Sequence, residues 1–253
     1  MEVRERERLT DTSIGYASLA LFGASIVVLI WFLLAGLDPS EERVDAIGRA
    51  LGAPGGRGDA RATFNTLLIL AWGFGHSFMA SPGVRDRIRR LLRPHLERAV
   101  YSLTSSVTLI LLCLLYRPIA HPVYALEGGA ALLTRLLFYA AWALFIYCWA
   151  HLDLLEITGL RPIQRHLDDV PGPAQPFRPG GPFLWVRHPV ELSFLLAFWA
   201  APRMTVGHLL FAALMTLYTF IDVDLEDRRM LRLQGAEYAD YMQRVPQILP
   251  LPR

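Results

Sequence analysis

The sequence predicts an all-α, polytopic integral membrane protein of about five to six transmembrane helices, including a C-terminal helical hairpin. Three observations predict it. Of 253 residues, 53% are hydrophobic and only 19% are charged, whereas a soluble domain of this size carries about a quarter. The charge deficit is gathered into uncharged runs instead of being spread along the chain. All 25 cationic residues are arginine, and their uneven distribution between loops orients those runs.

The first run, Ile14 to Leu37, has no charge, and a span needs only about 20 apolar residues to cross roughly 30 Å of hydrocarbon. It is longer than the apolar core of about 7–15 residues in a cleaved signal peptide. It therefore reads as a retained helix behind a short cytoplasmic tail, residues 1–13. Pro39 to Arg61, with Gly52, Gly55, Gly56 and Gly58, reads as a flexible outer loop. Ala62 to Ala80 and Ala99 to Tyr116 supply two more spans, separated by a loop from Ser81 to Arg98. Leu136 to Ala150, extending through Leu155, closes an N-terminal four-helix region, residues 14–155.

The remaining residues, 156–253, read as a second module. Gly159 to Pro182 carries six prolines and reads as non-helical, long enough to fold over a site as a lid. Leu192 to Ile221 is apolar but for Pro202-Arg203. Its first arm, Val190 to Ala201, measures about 18 Å as a helix, so the two arms form a hairpin with its tip at Ala201-Pro202-Arg203. With the N-terminus in the cytoplasm, eighteen of the arginines fall inside, the bias that orients membrane proteins. Both termini are then cytoplasmic. Cys113 and Cys148 sit in apolar runs and read as small buried hydrophobes, not as a disulfide or zinc framework. The net charge of +2 points to no nucleic-acid partner.

Chemistry-bearing residues gather in the last third. Arg187-His188-Pro189 precedes the hairpin, with Pro189 suited to the first helical position and His188 to the N-cap. The free amides of that helix start suit a carboxylate or phosphate, and Glu191 favours the same dipole. Where the hairpin exits, Asp222, Asp224, Glu226 and Asp227 crowd into six residues. Asp222 and Glu226 share a helix face, and Asp224 is spaced to pair with Arg228. Carboxylates at a bilayer boundary are functional candidates, although Arg228 and Arg229 offer structural partners for some of them. Gly235 to Tyr241, stopped by Pro246, reads as a short amphipathic helix.

The run from Arg187-His188-Pro189 through the hairpin to Leu225-Glu226-Asp227, Tyr238, Tyr241 and the terminal prolines resembles the isoprenylcysteine carboxyl and phospholipid methyltransferases. A narrower likeness covers most of the chain. His76-Ser-Phe-Met-Ala80, Leu96-Glu97-Arg98 with Tyr101, Arg117-Pro118, His151 with Asp153-Leu154, Gly159-Leu160-Arg161 and Phe194 to Ala212 are similar to the methanethiol S-methyltransferase group of NnrU-related membrane proteins. The resemblance implies an S-adenosyl-L-methionine-dependent enzyme of the bacterial inner membrane that methylates a small thiol, methanethiol to dimethyl sulfide. It places Trp185, Val186, Arg187, His188, Pro189, Glu191, Glu226 and Asp227 around the cofactor, with His76 and Glu226 as the catalytic candidates. Apart from the lipid bilayer and the thiol, it implies no partner.

The chain departs from the superfamily pattern at Glu191, where a tyrosine is usual, at Ser193, where a glycine is usual, and at Asp227, where a second glutamate is usual. Glu191 brings an extra negative charge, and Ser193 takes room that a glycine leaves for close backbone approach. Three alternatives are set beside this reading. His76 and His151 on two helices have the arrangement of a haem-ligand pair, against local hydrogen bonding near span ends, or His76 lining the acceptor-thiol site and His151 with Asp153 orienting a partner. Membrane sterol reductases share the C-terminal architecture but use a nicotinamide. A non-enzymatic accessory role in nitrogen-oxide metabolism would follow if Glu191 and Ser193 abolished cofactor binding.

Overall fold

In the computed structural model the described residues are 2–37, 58–171 and 179–249. Most of the outer-loop reading, and the middle of the Pro/Gly-rich segment, lie outside them. Ten helices are described: α1 (Glu2–Trp31, prolonged by one wide turn, Phe32–Gly36), α2 (Gly58–Ala80), α3 (Pro82–Leu91), α4 (Glu97–Leu115), α5 (Gly128–Trp149), α6 (Leu154–Ile157), α7 (Leu160–Leu167), α8 (Pro189–Trp199), α9 (Val206–Gln234) and α10 (Ala236–Arg244). Two short strands, β1 (Pro122–Ala125) and β2 (Arg203–Thr205), and two single 3-10 turns, Pro94–Leu96 and Gly181–Leu184, complete the order. α1, α4, α5 and α9 are each long and apolar enough to cross a membrane, and α2 with α3, bent by 66°, makes a fifth candidate span. Phe74 and Ile146 turn outward, 74% and 68% exposed, as bilayer-facing side chains do. The chain is a polytopic helical membrane protein.

α1 packs along α4 and, near its start, against α7; α5 packs on α8; α9 lies against α2 and α8. The shared core joins Phe32, Tyr116, Phe198 and Phe211, with edge-to-face rings 5.1–5.4 Å apart from Phe32 to Tyr116 and Phe211 and from Phe198 to Phe211. Such pairs add about 0.5–1.5 kcal/mol beyond the area they bury. Cys113 and Cys148 are fully buried on α4 and α5.

One end of the bundle is rich in arginine and, besides Asp227, carries three buried carboxylates each held by two basic side chains. Asp11 meets Arg93 at 2.5 Å and His95 at 2.8 Å. Glu97 meets Arg85 at 2.5 Å and Arg89 at 2.9 Å. Glu156 meets Arg165 at 2.8 Å and Arg98 at 3.4 Å. A buried charge is tolerated only when paired in this way. These pairs tie the third turn of α1 to the segment after α3, and the first turn of α4 to α3 and to α6–α7.

Three expectations change. The Ser81–Arg98 loop contains helix α3, with Ser81 extended and Pro82 in the first turn, where its missing N–H has no intrahelical partner. The reading of Gly159 to Pro182 as non-helical is overturned at α7; Pro162 falls at the third helical position, inside the first turn, for the same reason. The fourth span starts earlier, at Gly128, and stops at Trp149 instead of Leu155. Asp153 accepts from the Glu156 amide at 3.1 Å and so starts α6 afresh, which is the capping role that disfavours aspartate inside a helix.

The hairpin is present, and its tip is pinned in a way the sequence reading lacks. β2 pairs antiparallel with β1, Pro122 opposite Thr205 and Ala125 opposite Arg203. His208 Nε2 lies 2.8 Å from the Phe198 carbonyl, closing the tip. α8 has 11 residues and α9 has 29, so at 1.5 Å per residue they measure about 16 Å and about 43 Å. α8 therefore begins little more than a third of the way along α9 from the tip, and the space below its first turn is left to other residues.

Candidate active site

That space is a cavity of about 740 Å³, within the range of small-molecule sites, about 300–1,000 Å³. It is enclosed by both halves of the chain. Phe22 and Leu29 of α1, Trp72 and His76 of α2, Tyr101 and Ser102 of α4 and Trp149 of α5 form one side. Glu191 and Phe194 of α8, Tyr218, Asp222 and Glu226 of α9, and Tyr238 and Tyr241 of α10 form the other. Pro179, Gly180 and Phe183, the described end of the Pro/Gly-rich segment, also reach it. Gly181 sits at φ +54° against the His151 imidazole, where a Cβ would collide. Only glycine lets the segment come this close.

The wall below α8 is organised around Asp227, 1% exposed. Arg187 donates to both of its oxygens, Nε to Oδ1 at 3.2 Å and Nη2 to Oδ2 at 2.6 Å. The His188 ring nitrogen Nε2 lies 2.9 Å from Oδ1. Tyr238 donates to Oδ1 at 2.5 Å and Gln247 to Oδ2 at 2.8 Å. The remaining Arg187 nitrogen, Nη1, donates to the Val245 and Met242 carbonyls at 2.7 and 3.3 Å, capping the end of α10. The backbone joins in, with the Arg187 and His188 amides donating to the Pro246 and Gln247 carbonyls at 2.8 and 3.0 Å. A carboxylate with five charge-assisted or neutral donors is locked in place. Burial, then the Asp227 hydrogen bond, pushes the Tyr238 phenol above its ordinary value; burial pushes Tyr241 to about 12.

The opposite wall is built on His76. Its Nε2 lies 2.9 Å from the Tyr101 hydroxyl, and its ring stacks on Trp72 at 5.3 Å. Nearby, Asp222 Oδ1 accepts from the Tyr218 hydroxyl at 3.2 Å and from Ser77 at 3.4 Å. Buried Trp72 Nε1, His76 Nδ1, Ser102 Oγ and Trp149 Nε1 make no hydrogen bond among the described residues, and all four residues line the cavity. Polar atoms so placed offer partners to a bound molecule.

Of the sequence-derived candidates, His76, Arg187, His188, Glu191 and Glu226 line the cavity. Pro189 takes the first helical position with His188 as N-cap. Asp227 stands behind the wall as the partner of Arg187, not of Arg228 or Arg229. Glu226 meets Arg229 at 3.2 Å and Asp224 meets Arg228 at 2.8 Å. Trp185, 58% exposed, and Val186, fully buried, are not among the residues that line the cavity. Ser193 is buried with its hydroxyl donating to the Val190 carbonyl at 2.5 Å, away from the cavity lining. His151 contacts the Tyr147 carbonyl at 2.9 Å, and Asp153 pairs with Arg161 at 2.6 Å, so those two do not form the pair the sequence suggested. The sequence reading missed Tyr218, Ser77 and Gln247. For Tyr218 the i, i+4 spacing to Asp222 was the available signal.

The family model described as NnrU protein matches residues 65–249. Methanethiol S-methyltransferase 1 of Bradyrhizobium diazoefficiens is 33% identical over 239 residues, 93% of this chain and 80% of the relative. Methanethiol S-methyltransferase of Pseudomonas deceptionensis is 35% identical over 203 residues, 78% of this chain and 76% of the relative. Nurim of Sus scrofa is 28% identical over 190 residues, 66% of this chain and 71% of the relative. No solved structure matches at a significant level.

Proposed function

This chain belongs to the NnrU family, and from that premise we propose that it is a membrane methyltransferase that uses S-adenosyl-L-methionine to methylate a small thiol, turning methanethiol into dimethyl sulfide. The observation that carries the reading is the cavity under the first turn of α8, which joins a charged wall to an apolar chamber. Relatives that align over most of the chain bear the name methanethiol S-methyltransferase, which supports the reaction class.

The residues fit such a cofactor. Its carboxylate has the free amides at the start of α8 and the basic Arg187–His188 edge as complements. Its ammonium has Glu226 as a complement. When bound, the cofactor supplies an electrophilic methyl group on a positively charged sulfur. Glu226, Glu191, Arg187 and His188 hold and orient it, while Asp227 and Pro189 keep that wall rigid from behind. His76 faces the chamber from α2, where the acceptor would sit. Phe22, Leu29, Trp72 and Phe194 exclude water and leave room for a small apolar thiol entering from lipid. Reaction then needs the thiol sulfur in line with the methyl at about 3–3.5 Å, sheltered from water.

The arginine-rich end, by the same reading, faces the cytoplasm of a bacterial inner membrane. A second reading, an accessory protein without turnover, is favoured by Glu191, whose carboxylate enters the cavity in place of a neutral side chain. Headspace gas chromatography on cells expressing the chain and fed methanethiol separates the two. Dimethyl sulfide from the wild type, lost in Glu226→Ala, supports the enzyme. No product from inserted wild-type protein would falsify it.

A further inference from the structure

Every methyl transfer from a sulfonium to a thiol releases a proton, and an apolar chamber gives it few places to go. Resting on the functional reading above, we propose that Asp222 is the proton acceptor for the thiol, discharging along the face of α9 to water at the arginine-rich end.

Tyr218, Asp222 and Glu226 follow each other at intervals of four residues, so they lie one above the next on a single helix face, and all three line the cavity. Asp222 Oδ1 is fixed by Tyr218 at 3.2 Å and Ser77 at 3.4 Å, and those two hydroxyls are 3.2 Å apart. Oδ2 makes no hydrogen bond among the described residues, which leaves a carboxylate oxygen free to take a proton. Asp227, five residues further on, is the contrast: both of its oxygens are already filled by Arg187, His188, Tyr238 and Gln247. Glu226, with 42% of its side chain exposed, stands between Asp222 and water. The charged and titratable groups that face Asp222 are His76 from α2, Tyr101 from α4, Glu191 from α8, and Tyr218, Glu226 and Arg229 on α9 itself.

The step balances. The S–H bond breaks as its proton passes to Asp222 Oδ2, and the electron pair left on the thiol sulfur forms the new S–CH3 bond. The methyl–sulfonium bond breaks, and its pair returns to the donor sulfur, which becomes a neutral thioether. The product thioether is far too weak a base to keep the proton. A carboxylate is therefore sufficient, provided it is in place as the S–C bond forms; it need not ionise the thiol beforehand.

The test compares Asp222→Asn with wild type on two acceptors, an alkanethiol and an arenethiol already ionised at neutral pH. Loss of a general base costs about 10²- to 10⁴-fold, so the variant loses that much with the alkanethiol and keeps close to the wild-type rate with the arenethiol. Its alkanethiol rate then climbs with pH in step with the thiolate fraction, and Asp222→Glu recovers it at neutral pH. Its calorimetric affinity for S-adenosylhomocysteine stays at the wild-type value. An equal loss on both thiols, or no loss on the alkanethiol, overturns the proposal. If the Asn variant does not fold, the wild type is compared in light and heavy water. A normal solvent isotope effect confined to the alkanethiol supports Asp222, and its absence overturns it. A wild type that methylates neither thiol refutes the functional reading itself, a result distinct from any variant effect.

Discussion

Asp227 shows what a residue's position in a motif conveys and what it does not. The spacing from Arg187-His188-Pro189 to Glu226-Asp227 brought these side chains to one region, but two adjacent carboxylates look alike in sequence. Only the fold separates Asp227, filled by five donors, from Glu226, half in the cavity. Of the decisive partners, Tyr238 belongs to a motif that does not say which carboxylate it meets, and Gln247 belongs to none. Removing one of them is informative. Tyr238→Phe leaves Asp227 Oδ1 one hydrogen bond short, and losing a hydrogen bond to a buried charged group costs about 1–3 kcal/mol. The Tyr238 phenol is held above its ordinary value by burial and by Asp227, so it binds its proton more tightly folded than unfolded. That contribution is full below the ordinary tyrosine value near pH 10 and is lost as pH rises through the higher folded value. Thermal unfolding in detergent should therefore show a constant gap between wild type and Tyr238→Phe from about pH 6 to about pH 9, closing in stronger alkali.

Elements were legible wherever hydrophobicity alone decides them. The runs beginning at Ile14, Ala62 and Ala99, and the hairpin interrupted at Pro202, are helices because uncharged backbone in lipid has no other way to pair its polar groups. Elements set by local exceptions were not legible. α7 hides behind Pro162, which is harmless only in a first turn, and the β1–β2 ribbon joins segments about eighty residues apart with no alternating pattern to announce it. The start of α7 also depends on one glycine. Gly159 has φ +86°, and a Cβ there would run into the backbone of Ala99 on α4. Gly159→Ala should cost about 1–3 kcal/mol from backbone strain alone and more from the collision. Gly129→Ala, in α5 with open space around it, should be neutral or stabilising by up to about 1 kcal/mol. Differential scanning fluorimetry on the two variants reads both outcomes, and an unchanged melting point for Gly159→Ala would sink the close-approach argument.

At the scale of the whole molecule, the three paired carboxylates Asp11, Glu97 and Glu156 collect the arginine clusters at one end, while β1, β2 and the hairpin tip lie at the other. The orientation proposed from the arginines makes a direct prediction. A reporter fluorescent only in the cytoplasm, fused after the last residue, should be bright, and alkaline phosphatase fused within residues 122–125 should be active. The reverse pattern would invert the topology and move the cavity's polar mouth to the other side of the membrane. The cavity takes walls from both residues 14–155 and residues 156–253, so neither stretch encloses it by itself.

The bonds that join Arg187, His188 and Asp227 to residues 242–247 bear on how the protein is made. During synthesis the helices enter the membrane in order, and α1 to α9 are complete while the ribosome still holds the residues after Gln234. Until Val245, Pro246 and Gln247 emerge, Arg187 lacks its carbonyl partners and Asp227 lacks two of its donors. A chain made as far as Gln234 thus has every helix through α9 but no finished floor beneath α8, and competence to bind waits for residues 238–247.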